Sequence, residues 1–217
     1  MPEDDIVQKA ASPKPLSYRF LKRAFDIVFS AGVVAITAAP GAVLCIFVAV
    51  DTKSFPIYTQ LRVGKGGKPF HILKFRTMVD HSYRLEEVLA PEQVEQWTLE
   101  HKLEDDPRIT PLGRFLRTTS IDEIPQFVNA LLGQISVVGP RPITFEELEF
   151  FGDCKSLLLS CPPGITGLWQ TGPRNKATFQ SGERQKMELE YVANASLALD
   201  AKLILKTVKT MLERTGK

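Results

Sequence analysis

Ile27-Val28-Phe29-Ser30-Ala31-Gly32-Val33-Val34-Ala35-Ile36-Thr37-Ala38-Ala39-Pro40-Gly41-Ala42-Val43-Leu44-Cys45-Ile46-Phe47-Val48-Ala49-Val50 carries no formal charge, and its reading decides the architecture of the chain. As one straight helix it would run ~36 Å, enough to cross a hydrocarbon core of ~30 Å. Pro40-Gly41 interrupts it, and a proline inside a helix removes a hydrogen bond and crowds the preceding turn. The limbs on either side would be ~20 Å and ~15 Å long, and neither spans alone. Basic residues flank both ends, Arg19, Lys22 and Arg23 before it and Lys53, Arg62 and Lys65 after it. The positive-inside bias places both ends on the cytoplasmic side. Composition leaves two readings open: a kinked span, and a helix broken at Ala39-Pro40 that enters and leaves the same face.

The rest of the composition is that of a folded domain. The 217 residues are 44% hydrophobic and 24% charged, with a net charge of +2, which gives no ground for nucleic-acid binding. Basic residues are concentrated between Arg19 and Arg76, where only Asp26 and Asp51 oppose them, which suits an anionic membrane face. Cys45, Cys154 and Cys161 have no metal-ligand or framework spacing, so a reducing compartment is the simple reading. The expected organisation is a mobile tail at 1–18, a membrane-inserted helix at 19–50 and a cytoplasmic domain with interfacial helices at 51–217. The fold class expected is α+β, mainly helical, with a small β-hairpin.

Downstream, Phe55 to Val63 and Phe70 to Phe75 read as two strands joined by the turn Gly64-Lys65-Gly66-Gly67-Lys68. Those glycines are turn chemistry, since no Gly-Lys-Ser/Thr and no helix follow. Acidic residues 85–103 carry helical spacing, with Pro91 as a candidate start, and His81 and His101 read as solvated. Asp105-Asp106 reads as a solvated turn pair rather than a cation site. Leu112 to Thr118 forms a short helix carrying Arg114 and Arg117 near one face.

Ser120-Ile121-Asp122-Glu123 then has the capping-box pattern. Pro125 supports a second version, in which the helix begins there and runs to Gly133. Either way Asp122 and Glu123 stand at a helix start, where dipole and N–H groups favour anions. A helix-start preference alone explains such acids. The surroundings add a second reading, phosphoryl chemistry: a carboxylate attacking a diphosphate needs cations around it in a site drier than water. Lys74, Arg76, Arg114, Arg117 and Arg141 are the candidates, with Mg²⁺ held by the acids. Arg141 between Pro140 and Pro142 sits on backbone of restricted φ. Thr144-Phe145-Glu146-Glu147 is a further capping box, opening a helix that could extend to Leu159. Cys161-Pro162-Pro163-Gly164 ends it, Gly172 to Lys176 forms a basic loop, and Glu183 to Glu213 reads as at least two helical parts. The last part is a core face or an interfacial helix.

Several of these segments, in order, resemble the monotopic phosphoglycosyl transferases, the bacterial sugar transferase family. They are Arg23-Ala24-Phe25-Asp26, Gln60-Leu61-Arg62-Val63-Gly64, Lys74-Phe75-Arg76-Thr77-Met78, Asp106-Pro107-Arg108-Ile109-Thr110, Gly113 to Gln126, Val138-Gly139-Pro140-Arg141-Pro142, and Pro163 to Gln170. The resemblance implies a re-entrant membrane hairpin at the cytoplasmic face of the bacterial inner membrane. It also implies transfer of a sugar-1-phosphate from a UDP-sugar to polyprenol phosphate with release of UMP, the first membrane step of bacterial glycoconjugate (polysaccharide) synthesis. Asp122 matches the family nucleophile, which forms a covalent phosphosugar intermediate, and Glu123 its partner acid, with Mg²⁺ at the pair. Lys74, Arg76, Arg117, Arg141 and Gln170 match positions expected near phosphates or nucleotide. Many members carry Ser-Pro at the membrane break where this chain has Ala39-Pro40, so no hydroxyl is available there for a freed carbonyl. With one apolar segment the chain resembles the compact form of the family, and a homo-oligomer is compatible with it. Two competing readings are a non-catalytic membrane-anchored binding or scaffold protein, and direct single-step transfer with Asp122 as base or metal ligand.

Overall fold

The computed structural model describes residues 4–79, 88–94, 103, 106–172 and 179–212. His81, His101, Asp105, most of the acidic stretch and the loop 173–176 lie outside the described residues. Helix α1 (Asp4–Ala11) precedes the long helix α2 (Leu16–Thr52). Strands β1 (Ile57–Val63) and β2 (Pro69–Phe75) follow, then α3 (Pro111–Thr119), a single 3-10 turn at Ile121–Glu123, and α4 (Gln126–Leu131). Next come β3 (Ser136–Val138), α5 (Phe145–Glu149), α6 (Lys155–Leu158), β4 (Gly164–Thr166), α7 (Glu183–Asn194) and α8 (Leu197–Leu212). The chain is mainly helical with a small antiparallel ribbon, as expected.

Among the described residues α2 is the one helix long and apolar enough to cross a membrane, and only 6% of its most apolar window is buried in the protein. A core helix would have its apolar surface covered. This helix leaves Ile36 at its middle 78% exposed. The helix runs through Ala39 and Pro40 as one element, so the break expected there is not seen as an end of helical structure. Both ends of α2 rest on the following domain. Arg23 donates to the carbonyls of Ala130 (2.6 Å) and Leu131 (2.8 Å) at the end of α4. Asp26 accepts from Ser136 Oγ (3.0 Å) and the Val137 N–H (2.9 Å), and the Phe29 ring lies 5.9 Å from that of Phe127. Near the other end Val48 is fully buried with Phe75 and Leu116.

The ribbon pairs Ile57 with Phe75 through Val63 with Pro69. Its turn contains Gly66 and Gly67 at φ 69° and 78°, a region that favours glycine. Alternation along β2 sends Phe70 and Ile72 into a core with Ala130 and Ile135, and Phe75 into the cluster with Val48. Asn129 docks α4 on β2, accepting from Leu73 N–H (2.9 Å) and donating to His71 O (2.8 Å).

A second sheet was not expected. Strands β3 and β4 pair in parallel, Ser136 with Gly164 and Val138 with Thr166. The pair needs close backbone approach: the Gly139 N–H bonds Thr166 O at 2.8 Å, and a Cβ on Gly139 would sit 2.7 Å from Pro162 O. It brings the Gly139-Pro140-Arg141-Pro142 segment beside Gly167 to Gln170.

Three local expectations are corrected. Within the stretch 1–18, expected as a mobile tail without apolar period, Asp4–Ala11 forms α1, because Ile6 and Ala10 pack against Val192, Ala193 and Leu157 of the C-terminal part. Ser120 is no N-cap: it adopts φ 58° as the left-handed end of α3 and its side chain caps nothing, so the helix after the acids begins beyond Pro125. The helix opened by the Thr144–Glu147 capping box ends at Glu149, and 3-10 structure at Gly152–Cys154 separates it from α6. Gly152 lies there at φ 48°, which a regular helix does not accommodate.

Candidate active site

Asp122 and Glu123 sit in the 3-10 turn between α3 and α4. Thr110 starts α3 by accepting from the Gly113 N–H, and Ser120 turns the chain out of it, so the acids face β2 rather than solvent. Asp122 is 8% exposed. Burial, and then the charge of Glu123, push its carboxyl up to about 6, while Lys74 and Arg117 act in the opposite direction. Lys74 on β2 bonds Glu123 Oε1 at 2.8 Å. Arg117 on α3 donates from Nε to Thr77 Oγ1 (2.8 Å), which anchors it to the segment after β2. The structure therefore assembles two acids and two cations from three elements.

Other expected residues are placed differently. Arg76 turns toward Phe55 O (2.8 Å) and lies 5.7 Å from the Tyr58 ring centre. Arg114 occupies an exposed position of α3. Asp106 is no solvated turn residue: it is buried and held by Arg108 at 2.6 and 2.8 Å. Burial alone would push its carboxyl up, but the Arg108 bonds outweigh it and hold the group below the usual carboxylate range.

Gln170, 3% exposed, donates to Gly164 O at 3.4 Å. Its side chain lines a cavity of about 180 Å³ together with Ser120 and Glu123. Phe29, Phe127, Ile165, Ile204 and Val208 form the apolar walls, so the cavity joins Glu123 to α2 and α8. Thr166 and Thr207 hydroxyls meet at 2.6 Å on its wall. A polar end on an apolar cleft suits an amphiphile.

Arg141 lies near Trp169, with its guanidinium carbon 5.2 Å from the ring centre. A charged group that sequence reading passed over surrounds it. Arg184 is 4.3 Å from the Trp169 ring and 3.9 Å from Phe179, and approaches Glu147 at 3.6 Å. Glu147 also pairs with Arg62 at 3.0 Å. Glu188 is 1% exposed and accepts from the Arg141 N–H at 3.1 Å. Burial pushes the Glu188 carboxyl up to about 7, against the opposing Arg184 charge. Arg184 and Glu188 are four apart on α7, a spacing that normally marks a solvated surface pair. Only the docking of α7 shows that they are inside.

Among the described residues no three His, Cys, Asp or Glu side chains gather as a metal cluster. Two adjacent carboxylates still fit Mg²⁺, which keeps several waters and takes one or two carboxylates plus substrate phosphates.

The family model described as "Bacterial sugar transferase" matches residues 17–214. The chain is 42% identical over 203 residues to the "Undecaprenyl-phosphate galactose phosphotransferase" of Salmonella typhimurium, covering 92% of this chain and 42% of that protein. It is 34% identical over 196 residues to the Escherichia coli "UDP-glucose:undecaprenyl-phosphate glucose-1-phosphate transferase", covering 88% of this chain and 40% of that one. It is 35% identical over 206 residues to the "Exopolysaccharide production protein ExoY" of Rhizobium meliloti, covering 94% and 90%. The chain thus spans less than half the length of the first two proteins and nearly all of the third.

Proposed function

This chain belongs to the bacterial sugar transferase family, and from that premise we propose that it transfers a sugar-1-phosphate from a UDP-sugar to polyprenol phosphate through a covalent intermediate on Asp122. The observation that carries the reading is the buried Asp122, set between Lys74, Arg117 and Glu123, with Glu123 lining the mostly apolar cavity. The names of the Salmonella and Escherichia relatives support the reaction class.

In the first half-reaction an Asp122 oxygen attacks the phosphorus bearing the sugar, and the bond from that phosphorus to the bridging oxygen breaks. UMP leaves with the electron pair, and the phosphosugar stays as an acyl phosphate on Asp122. In the second half-reaction an oxygen of polyprenol phosphate attacks the same phosphorus. Asp122 leaves as a carboxylate and a lipid diphosphosugar forms. Splitting the transfer lets one anionic site serve a soluble donor and a membrane acceptor in turn. Lys74 and Arg117 favour ionised Asp122, while burial strips it of the water that would blunt its attack. Arg141 and Gln170 are assigned to the donor phosphates or nucleotide, and Arg76 and Arg114 to outer phosphate contacts. Asp122 and Glu123 would hold Mg²⁺, which supplies charge neutralisation for the diphosphate.

The membrane arrangement belongs to the same proposal. Helix α2 bends at Ala39-Pro40 and leaves by the face it entered, the cytoplasmic face of the inner membrane. Two facts support this: both ends of α2 rest on one domain, and Ile36 between them is exposed. The polyprenol chain then follows the apolar walls between α2 and α8.

Peptide mass spectrometry of the purified protein, mixed with Mg²⁺ and a panel of UDP-sugars without lipid, tests the mechanism. The expected result is a phosphosugar adduct on Asp122 with UMP released, absent in Asp122→Asn, while membrane association of that variant is unchanged. No adduct with any donor, but turnover once polyprenol phosphate is added, would establish direct transfer instead.

A further inference from the structure

Three guanidiniums and two carboxylates gather around Trp169 outside the acid pair: Arg62, Arg141, Arg184, Glu147 and Glu188. Glu188 is the costliest member to maintain. A buried carboxylate loses its hydration, and a glutamine or leucine of similar volume avoids that penalty. Its Oε2 accepts from the Arg141 N–H, and among the described residues Oε1 has no hydrogen-bond partner. Its one direct hydrogen bond among them is to the Arg141 backbone, while its charge faces the Arg184 and Arg141 guanidiniums.

That backbone is already restricted by Pro140 and Pro142 and pinned by the Gly164 N–H bond to Pro140 O at 2.7 Å. The Arg141 side chain has a second constraint at its far end. Its guanidinium lies by Trp169, and Arg184 holds the same ring while packing on Phe179. Arg184 in turn stands against Glu147, which carries Arg62. The residue after Trp169 is Gln170, whose side chain lines the cavity shared with Glu123.

We infer that Glu188 is a positioning residue for Arg141, holding its main chain while Arg184 and Trp169 hold its guanidinium in the aim required for the donor's diphosphate. This rests on the assignment of Arg141 to donor phosphates. Glu188 touches no substrate; it acts through the N–H of Arg141. Its effect therefore appears in nucleotide affinity, and vanishes when Arg141 is already gone.

The experiment is UDP binding by calorimetry to the full chain with Mg²⁺, for wild type, Arg141→Ala, Glu188→Leu, Glu188→Gln and the double variant R141A/E188L. Arg141→Ala is expected to weaken UDP about tenfold or more, the scale of one charged hydrogen-bonding group. Glu188→Leu should weaken it by a similar factor. Glu188→Gln, which keeps an oxygen to accept from the Arg141 N–H, should stay within about threefold of wild type. The double variant should bind no worse than Arg141→Ala, since coupled residues are non-additive. Normal binding by Arg141→Ala would overturn the assignment of Arg141 itself. Impaired Arg141→Ala with normal Glu188→Leu would overturn the positioning role alone. Additive losses would overturn it too, and if Glu188→Leu does not fold, a Glu188→Gln variant as weak as Arg141→Ala does the same.

Discussion

Asp200→Asn removes the ion pair that seats the start of α2 against the C-terminal helices. Asp200 is 6% exposed. One carboxylate oxygen accepts from Tyr191 OH at 2.7 Å, and the other accepts from Lys22 Nζ at 2.8 Å and Tyr18 OH at 3.1 Å. Asparagine has the same shape, but its NH₂ presents donors to a site filled with donors. The one remaining oxygen can accept on the Lys22 side or from Tyr191 but not on both, and Lys22, whose side chain is 11% exposed, loses its counter-charge. Removing one partner of a buried pair costs about 3–5 kcal/mol, and the remaining exposure of Lys22 places this case near the low end, about 3 kcal/mol. For a chain of this size that lowers Tm by roughly 6–12 °C. Thermal unfolding of the detergent-solubilised full chain, followed by tryptophan fluorescence, reads it. Adding Lys22→Met removes the stranded charge, so the double variant should lose less than the sum of the singles by about 2 kcal/mol. A Tm within about 2 °C of wild type for Asp200→Asn, or strictly additive singles, would refute the assignment of a buried, energetically coupled pair.

Lys74→Met should reduce turnover by roughly 10²–10³-fold, the scale for one preorganised charge. Its bond to Glu123 is partly exposed, so unfolding should shift by less than about 1 kcal/mol; a turnover assay beside a melting curve separates the two. Glu188→Gln should change the pH dependence of stability. The folded carboxyl titrates at about 7 against an ordinary 4.5, so native stability is full below the ordinary value and falls as pH rises through the folded one. The gap in stability between variant and wild type should grow by about 2–3 kcal/mol from pH 5 to pH 8, and a pH-independent gap in Tm would contradict the burial of a titrating carboxyl. Gly164→Ala should abolish the cooperative melting transition, because its Cβ would overlap the Gly139 backbone nitrogen. Gly32→Ala, with nothing within 4 Å of the added Cβ, should be tolerated and fold normally.

What could be read from the chain alone was whatever a few neighbouring residues encode. The apolar run, the hairpin turn at Gly66-Gly67, the helix carrying Arg117, the Thr144–Glu147 cap and the adjacent acids all depend on spacing or turn chemistry within about a dozen residues. The acid pair and its cations were likewise visible as residue types. The surroundings of the pair were not, because burial is a property of docking: Lys74 reaches Glu123 only after β2 lies beside the turn, and Gln170 joins it only because β3 and β4 pair.

Where the reading failed, a distant contact overrode a local preference. Ser120 had the pattern of an N-cap, yet the exit from α3 needed a left-handed residue there. The first residues had no visible reason to fold until α7 supplied a partner for Ile6 and Ala10. Arg184 and Glu188 carry no local signal of burial, and only the docking of α7 turns them inward. Lys22 and Asp200, 178 positions apart, show the limit most clearly. Each alone is an ordinary charged residue. Their pairing is set by where two helices meet, and that depends on the sum of many weak packing contacts rather than on any local signal.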